Sequence, residues 1–457
     1  MRKTLLAALK NNWLLLTIVF LGLCLRLFNL GSIPGQTFDE VFYPVFGLKY
    51  ILGEPFFSVH PPVGTYFISL SIYLYHILPW TEPLLSSGIG ISDLNPISYR
   101  WLNAIAGTFI IYVAYRLCME LFSKKHLALL AALFFALDGS LLVDSRFGLI
   151  NVYLSLFGLL SVLFLLQYFK GRGNLTFLFV GCLMLGLTFS IKWNGLGFWL
   201  MSLLFILLIL YLKKQFKIKQ QDLFFSQDRK FGTNFLSLLF IPFLGYLLFW
   251  LPDLFFNGSD IAGRHSQMIS YHTDNVELKL HPYSSSWFTW PIMFRPIAYY
   301  FSSQEVISAS GESLTTFNAV HLFPNPALTL LSLIAIFILS LNWLSSFSKV
   351  ISSKTYNSDF VSTTFILLGY YTNFLPWALV SRSAFIYHYQ ASACFSFIAL
   401  AYLLYKISLK EKAEYKVLYI LSITLIIAAT IYWLPIQLGL DISAENFQSK
   451  MWLDSWI

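Results

Sequence analysis

The sequence predicts an all-α polytopic membrane protein with about eleven transmembrane helices. Three observations carry that prediction. Only 11% of the 457 residues are charged while 57% are hydrophobic, against roughly 25% charged in soluble domains, which excludes an ordinary soluble globule. Several stretches run about 18 residues or more almost without charge, the length that crosses about 30 Å of hydrocarbon. Lys and Arg then cluster between those stretches, as cytoplasmic loops do. The net charge of +8 therefore reads as a topology signal, not as a nucleic-acid footprint.

Arg2, Lys3 and Lys10 precede the first apolar run, 12–30. That run is too long for a cleaved leader and carries Arg26, so a retained first helix is expected. A second helix is expected at 99–122. Five basic clusters follow: Lys124/Lys125, Lys170/Arg172, Lys213/Lys214/Lys217/Lys219, Lys349/Lys354 and Lys406/Lys410/Lys412/Lys416. All five face the cytoplasm if apolar hairpins join them. The runs 127–143 with 147–168, 174–190 with 193–211, 233–251 with 326–346, and 360–380 with 384–405 supply those hairpins. A last span at 417–435 leaves the C-terminus outside. Segment 63–80 is apolar enough to span, but a crossing there would turn every later Lys cluster outward. Segment 41–80 is therefore expected to form interfacial or re-entrant helices, covered by protein or a water-filled cavity. They lie in an external loop of about 31–98, and a second external loop covers about 252–320. With no repeat or low-complexity segment, residues 1–457 read as one domain. Cys24, Cys118, Cys182 and Cys394 are widely spaced in apolar runs, which disfavours a disulfide framework or a cysteine metal site.

The candidate chemistry gathers on the outer side. Asp39 and Glu40 follow the first helix directly. Acids at a membrane boundary are functional by default, yet a solvated helix cap uses the same residues; the pair alone weighs both readings equally. His60 precedes Pro61-Pro62 and so sits in extended chain before a helix start. Arg100, Arg146, Lys192, Arg295, Arg382 and His388 oppose the inside bias of positive charge. As a set they suit an anion such as phosphate, although each alone suits an ion pair equally well. His281, Tyr283, Trp287 and Trp290 mix rings with Ser hydroxyls. They suit a sugar or peptide site and an interfacial aromatic belt equally.

Ordered motifs then add a resemblance. Phe38-Asp39-Glu40-Val41-Phe42, Phe57-Ser58-Val59-His60-Pro61-Pro62-Val63-Gly64, Ser145-Arg146-Phe147, Lys192-Trp193, His281-Pro282-Tyr283-Ser284-Ser285, Trp290-Pro291, Asn373-Phe374-Leu375-Pro376-Trp377, Ser381-Arg382 and Tyr387-His388-Tyr389 follow in order over nearly the whole chain, with Met451-Trp452 and Trp456 at its end. Each is weak alone; the ordered set resembles the dolichyl-phosphate-mannose:protein O-mannosyltransferases, in their shorter bacterial form. There is no room in 252–320 for the β-trefoil insert of the eukaryotic enzymes, and Asn151 stands where the family often has an acid.

The resemblance implies a GT-C glycosyltransferase fold with an external active site, in a multi-pass plasma membrane protein. It implies inverting transfer of mannose from polyprenyl-phosphate-mannose to Ser/Thr hydroxyls of exported proteins. Asp39 is then the expected base, with Glu40 beside it orienting acceptor or a cation. Arg382, His388, Lys192, Arg146, Arg100, His60 and Tyr387 are expected toward lipid phosphate and sugar. His281, Tyr283, Trp287, Trp290 and Arg295 are expected toward acceptor or sugar. No cofactor is required; a divalent cation has room at Asp39/Glu40 but no residue set demands it. The oligomeric state is not legible. Two other classes remain in view: a GT-C enzyme with a lipid or glycan acceptor, and a secondary transporter, which would favour repeats and midplane polar residues that this chain lacks.

Overall fold

The computed structural model describes residues 2–84, 88–215, 231–258, 260–274, 281–307 and 313–457; Met1, Lys217 and Lys219 of the basic segments lie outside them. Among the described residues, sixteen α-helices and three strands run in the order α1 (Arg2–Leu27), α2 (Tyr43–Leu52), α3 (Val63–His76), α4 (Ile97–Phe122), α5 (Lys125–Leu137), α6 (Gly139–Asp144), α7 (Asn151–Phe169), α8 (Leu175–Phe189), α9 (Leu196–Gln215), α10 (Phe231–Asn257), α11 (Ile261–Asp274), β1 (Ile297–Ile307), β2 (Ser313–Leu322), α12 (Pro326–Ser353), α13 (Ser358–Phe374), α14 (Gln390–Ser408), α15 (Ala413–Leu438), β3 (Asp441–Ser443) and α16 (Ala444–Lys450).

A helix overlaps each of the eleven expected spans, with two, α5 and α6, sharing one of them, and α13 has only 17 residues. Among the described residues α4, α7, α9, α10, α12, α14 and α15 are long and apolar enough to cross a membrane, and the apolar helices Asn12–Leu27, α5 and α8 are shorter. The protein is a multi-pass membrane protein. Segment 41–80 forms two helices of 10 and 14 residues, both short of the roughly 18–20 residues of a full crossing. The run expected as one helix over 127–143 is broken at Asp138. Its carboxylate accepts from Leu141 N at 2.8 Å and so caps a new helix, α6, satisfying a donor that would otherwise be orphaned.

The fold also contains a small sheet that the helical reading did not include. β1 pairs antiparallel with β2, Ile297 opposite Leu322 and Ile307 opposite Ser313, and β3 adds to the far side of β2. The expected external loop of 252–320 is thus built from the end of α10, from α11 and from this hairpin. The helix α10 also runs six residues beyond the expected 251. There Asp253 accepts a hydrogen bond from Tyr50 Oη, tying α10 to α2.

One ion pair fastens the first loop to the bundle. Glu40 and Arg100 are both fully buried. The pair is bidentate: Arg100 Nε donates to Glu40 Oε1 at 2.8 Å and Nη2 to Oε2 at 2.7 Å. Gly148 N donates to Oε1 at 2.6 Å, and Thr37 N to Oε2 at 3.1 Å. The remaining Arg100 donors go to the carbonyls of Ile33 (2.8 Å) and Gly35 (2.9 Å). A buried charge pair is tolerated when its lone pairs and protons are all met, and removing one partner costs about 3–5 kcal/mol. Glu40→Ala should therefore lower the unfolding free energy on that scale, read as a clear fall in the thermal midpoint of the detergent-purified chain. An unchanged midpoint would contradict the structural role assigned to Glu40.

Candidate active site

The loop that Glu40 pins carries Asp39. Phe38 opens a 3₁₀ turn over Phe38–Val41 with φ of 51°, a left-handed conformation that a bulky residue keeps only when its surroundings impose it. They do so here: the Phe38 ring stacks on Tyr299 of β1 at 4.7 Å and meets the edges of Phe385 and Tyr387 at 6.1 Å. With Phe38 clamped on one side and Glu40 on the other, Asp39 has little backbone freedom. Its carboxylate makes no hydrogen bond among the described residues. Burial raises its pKa to about 6; Lys192 and Arg382 pull it down and Asp144 pushes it up.

Beside it lies a cavity of about 640 Å³. Its lining mixes the polar side chains of Lys192, Arg382, His60, His272, His388, Thr372 and Asn373 with Trp193, Trp199 and Trp377 and the apolar Leu196, Leu200, Leu379 and Val380. Lys192 precedes the 3₁₀ turn that leads into α9. Its Nζ donates to Asn151 Oδ1 at 2.7 Å and sits 4.9 Å over the Tyr387 ring. Burial lowers its pKa to about 8, while Asp39 and Asp144 hold it up. Arg382 is half-buried and donates from Nη1 to the Ser383 carbonyl at 3.0 Å. His60 and His272 stack at 5.8 Å. Burial and then the charges of Lys192 and Arg382 push His60 well below its ordinary value, and burial with Arg382 takes His272 to about 4. Both rings are neutral at pH 7. His388 is wedged between Trp377 (4.2 Å), Tyr387 (4.3 Å) and Trp290 (5.9 Å).

The structure thus brings together Asp39, Lys192, Arg382, His388, His60 and Tyr387 of the residues expected at the site. It does not bring Arg100 or Arg146 to the cavity. Arg100 is spent on Glu40, and Arg146 Nη1 donates to the carbonyls of Leu25 (2.9 Å) and Phe28 (2.6 Å) at the end of α1. Both guanidiniums terminate the first helix and its loop, where orphaned carbonyls need donors. Glu40, expected beside the base, is likewise consumed. Arg295 donates to the carbonyls of Pro282 (3.1 Å) and Ser455 (2.8 Å). Its guanidinium lies 5.7 Å from the Tyr283 ring. His281 packs edge-on to Phe385 at 5.1 Å, and Trp287 edge-on to Phe374 at 4.9 Å. Trp290 is buried and donates to Ser285 Oγ at 3.0 Å. These residues form the rim and back wall around Phe38 and His388.

Asp144 and His272 were not singled out from sequence. A signal existed for His272: His265 and His272 stand seven apart, two helical turns, on one face of α11. Asp144 gave none beyond its place near Arg146.

A family model described as dolichyl-phosphate-mannose-protein mannosyltransferase matches residues 16–254. The chain belongs to this family. A second model, the C-terminal four-TMM region of protein O-mannosyltransferase, matches residues 258–456. The polyprenol-phosphate-mannose–protein mannosyltransferase of Mycolicibacterium smegmatis is 24% identical over 458 residues, covering 87% of this chain and 82% of the relative. Among solved structures, the S. cerevisiae protein O-mannosyltransferase Pmt1-Pmt2 complex bound to the sugar donor superposes with a TM-score of 0.79 at 16% identity, covering 98% of this chain and 93% of that one. ArnT from Cupriavidus metallidurans bound to undecaprenyl phosphate gives 0.54 at 11% identity, covering 93% and 65%. The fold is that of the GT-C membrane glycosyltransferases.

Asp39 holds its proton more tightly in the folded chain, about 6, than at its ordinary 3.8. Its ionisation therefore costs the folded state stability as pH rises from about 4 through about 6. Asp39→Asn should be more stable than the parent at pH 7.5, on the order of 3 kcal/mol, with the gap closing as pH falls to 4. Thermal unfolding at the two pH values checks the sign.

Proposed function

We infer that the chain transfers mannose from a polyprenyl-phosphate-mannose donor to Ser or Thr hydroxyls of proteins. The observation that carries the reading is one carboxylate, Asp39, coupled to two cations, Lys192 and Arg382, that line a cavity shared by charged and apolar side chains. That is the polarity of the donor, an anionic head on a hydrocarbon chain. Family membership and the relatives' names point to the same donor and to a protein acceptor.

The acceptor oxygen attacks the anomeric carbon from the face opposite the phosphate. The bond from that carbon to the phosphate oxygen breaks with its electron pair, and the hydroxyl proton passes to Asp39. Configuration inverts, from a β-linked phosphomannose to an α-linked mannosyl residue. Phosphate leaves without protonation, so one carboxylate suffices; a second is needed when the leaving group is an alcohol. A pKa of about 6 suits a base working near neutral pH, worth about 10²–10⁴ in rate. Lys192 and Arg382 take up the charge that develops on the departing phosphate, so the scheme calls for no metal ion. The isoprenoid runs out past Leu196, Leu200 and Val380. The rim of His281, Tyr283 and Trp287 meets the acceptor, which is extended at the site. The placement of Lys and Arg supports an orientation with the N-terminus in the cytoplasm and the site and C-terminus on the outer face, and the reading takes the membrane to be the plasma membrane.

Purified chain, synthetic polyprenyl-phosphate-mannose and a Ser/Thr peptide test this directly. The peptide should gain one hexose in the presence of a chelator, and Asp39→Asn should lose transfer by about 10²-fold or more while keeping its binding of polyprenyl phosphate. Transfer to a glycolipid in place of the peptide would replace the acceptor reading, and full activity in Asp39→Asn would remove the base.

A further inference from the structure

Next to the site lies a buried carboxylate that the mechanism does not use. Asp144 ends α6 and is almost wholly buried. Its Oδ1 accepts from Tyr299 Oη at 2.9 Å and from Asn151 Nδ2 at 3.4 Å, while Oδ2 has no partner. Asn151 opens α7, and its other end, Oδ1, accepts from Lys192 Nζ at 2.7 Å. The carboxylate, the amide and the ammonium therefore form one chain. An Asn amide has a donor end and an acceptor end. A carboxylate on one side admits only the donor end, so the acceptor end must turn to Lys192. The ammonium has three donors; one is spent on Asn151, and the others remain for an anion in the cavity that Lys192 lines.

We propose that Asp144 is a positioning residue for the donor-phosphate end of the site: by receiving the Asn151 amide it fixes that amide's direction, and so keeps the Lys192 ammonium charged and aimed into the cavity. The proposal rests on the reading of the cavity as a lipid-phosphate site. The groups that face Asp144 are Tyr299 from β1, Asn151 from α7, Gln390 from α14, Lys192 from the turn before α9, Asp39 from the first loop, Tyr43 from α2 and Tyr387 from the turn before α14. Those facing Lys192 are Asp39, Asp144, Asn151, Arg382, the Tyr387 ring and the imidazoles of His60, His272 and His388.

The same arrangement fixes the sign of a pH test. Asp144 raises the pKa of both Lys192 and Asp39. With the negative charge gone, Lys192 deprotonates at lower pH and Asp39 becomes a weaker base that ionises at lower pH. Asp144→Asn should therefore slide both limbs of the kcat/KM profile for peptide mannosylation downward, by about one pH unit, rather than lower the plateau alone. Asn151→Ala should move the alkaline limb down and leave the acid limb in place, because Lys192 loses its acceptor while the Asp144 carboxylate, still held by Tyr299, keeps its charge near Asp39.

Equilibrium binding of polyprenyl phosphate to the full-length chain gives a second readout that needs no chemistry. Asp144→Asn should bind no more weakly than the parent at pH 6.5 and about 5–10-fold more weakly at pH 8.5, the scale of a single charged hydrogen bond. A merely structural residue would weaken binding equally at both values. Equal weakening, or pH profiles that superpose on the parent's, overturns the proposal. A parent chain that binds polyprenyl phosphate but transfers no mannose would instead refute the transferase reading and leave the binding test of Asp144 standing.

Discussion

The site depends on the buried pair of Glu40 and Arg100. The first loop leaves α1 through Gly31 and Gly35, residues that fix little structure of their own. Something must hold Asp39 at the cavity and keep its neighbour from competing for the same space. The bidentate bond to Arg100, reinforced by Gly148 N and Thr37 N, does both. It joins the loop, α4 and the turn before α7 at one point. Two adjacent carboxylates in one turn thus have opposite fates. Glu40 has its lone pairs filled and is charged and inert. Asp39 is left without a hydrogen bond among the described residues, and burial raises its pKa into the range where a base works.

Charge around the cavity is balanced. Asp39 and Asp144 oppose Lys192 and Arg382. The histidines that line the cavity do not add to the positive side: burial and the two cations hold His60 and His272 neutral. Cationic rings there would draw Asp39 down to an ordinary carboxylate and weaken it as a base. Aromatic rings pack around Phe38 and His388, and burial beside them lowers the local dielectric and strengthens these couplings.

Much of this was legible in the sequence. Charge-poor runs and Lys clusters located the helices, because the membrane imposes length and loop charge on every span alike. The Asp39-Glu40 doublet, Lys192, Arg382 and His388 stood out as charges in costly places. What sequence could not separate was which charges face substrate and which face protein. Arg100 and Arg146 look the same as Arg382 on paper; only the fold shows that the first two close off α1 and its loop. The sheet was not anticipated, since its strands lie in a loop between two strong helical signals and their pairing to β3 spans more than a hundred residues. The break at Asp138 was missed because a cap inside an apolar run leaves the hydropathy unchanged.

The central claim is that substrate phosphate meets Lys192 and Arg382 while Asp39 faces the sugar. A structure of Asp39→Asn with intact polyprenyl-phosphate-mannose measures this most directly. The account predicts phosphate oxygens within about 3 Å of Lys192 Nζ and the Arg382 guanidinium, the isoprenoid along Leu196 and Leu200, and the anomeric carbon turned toward residue 39. Phosphate bound elsewhere, with Lys192 still committed to the protein alone, would contradict it.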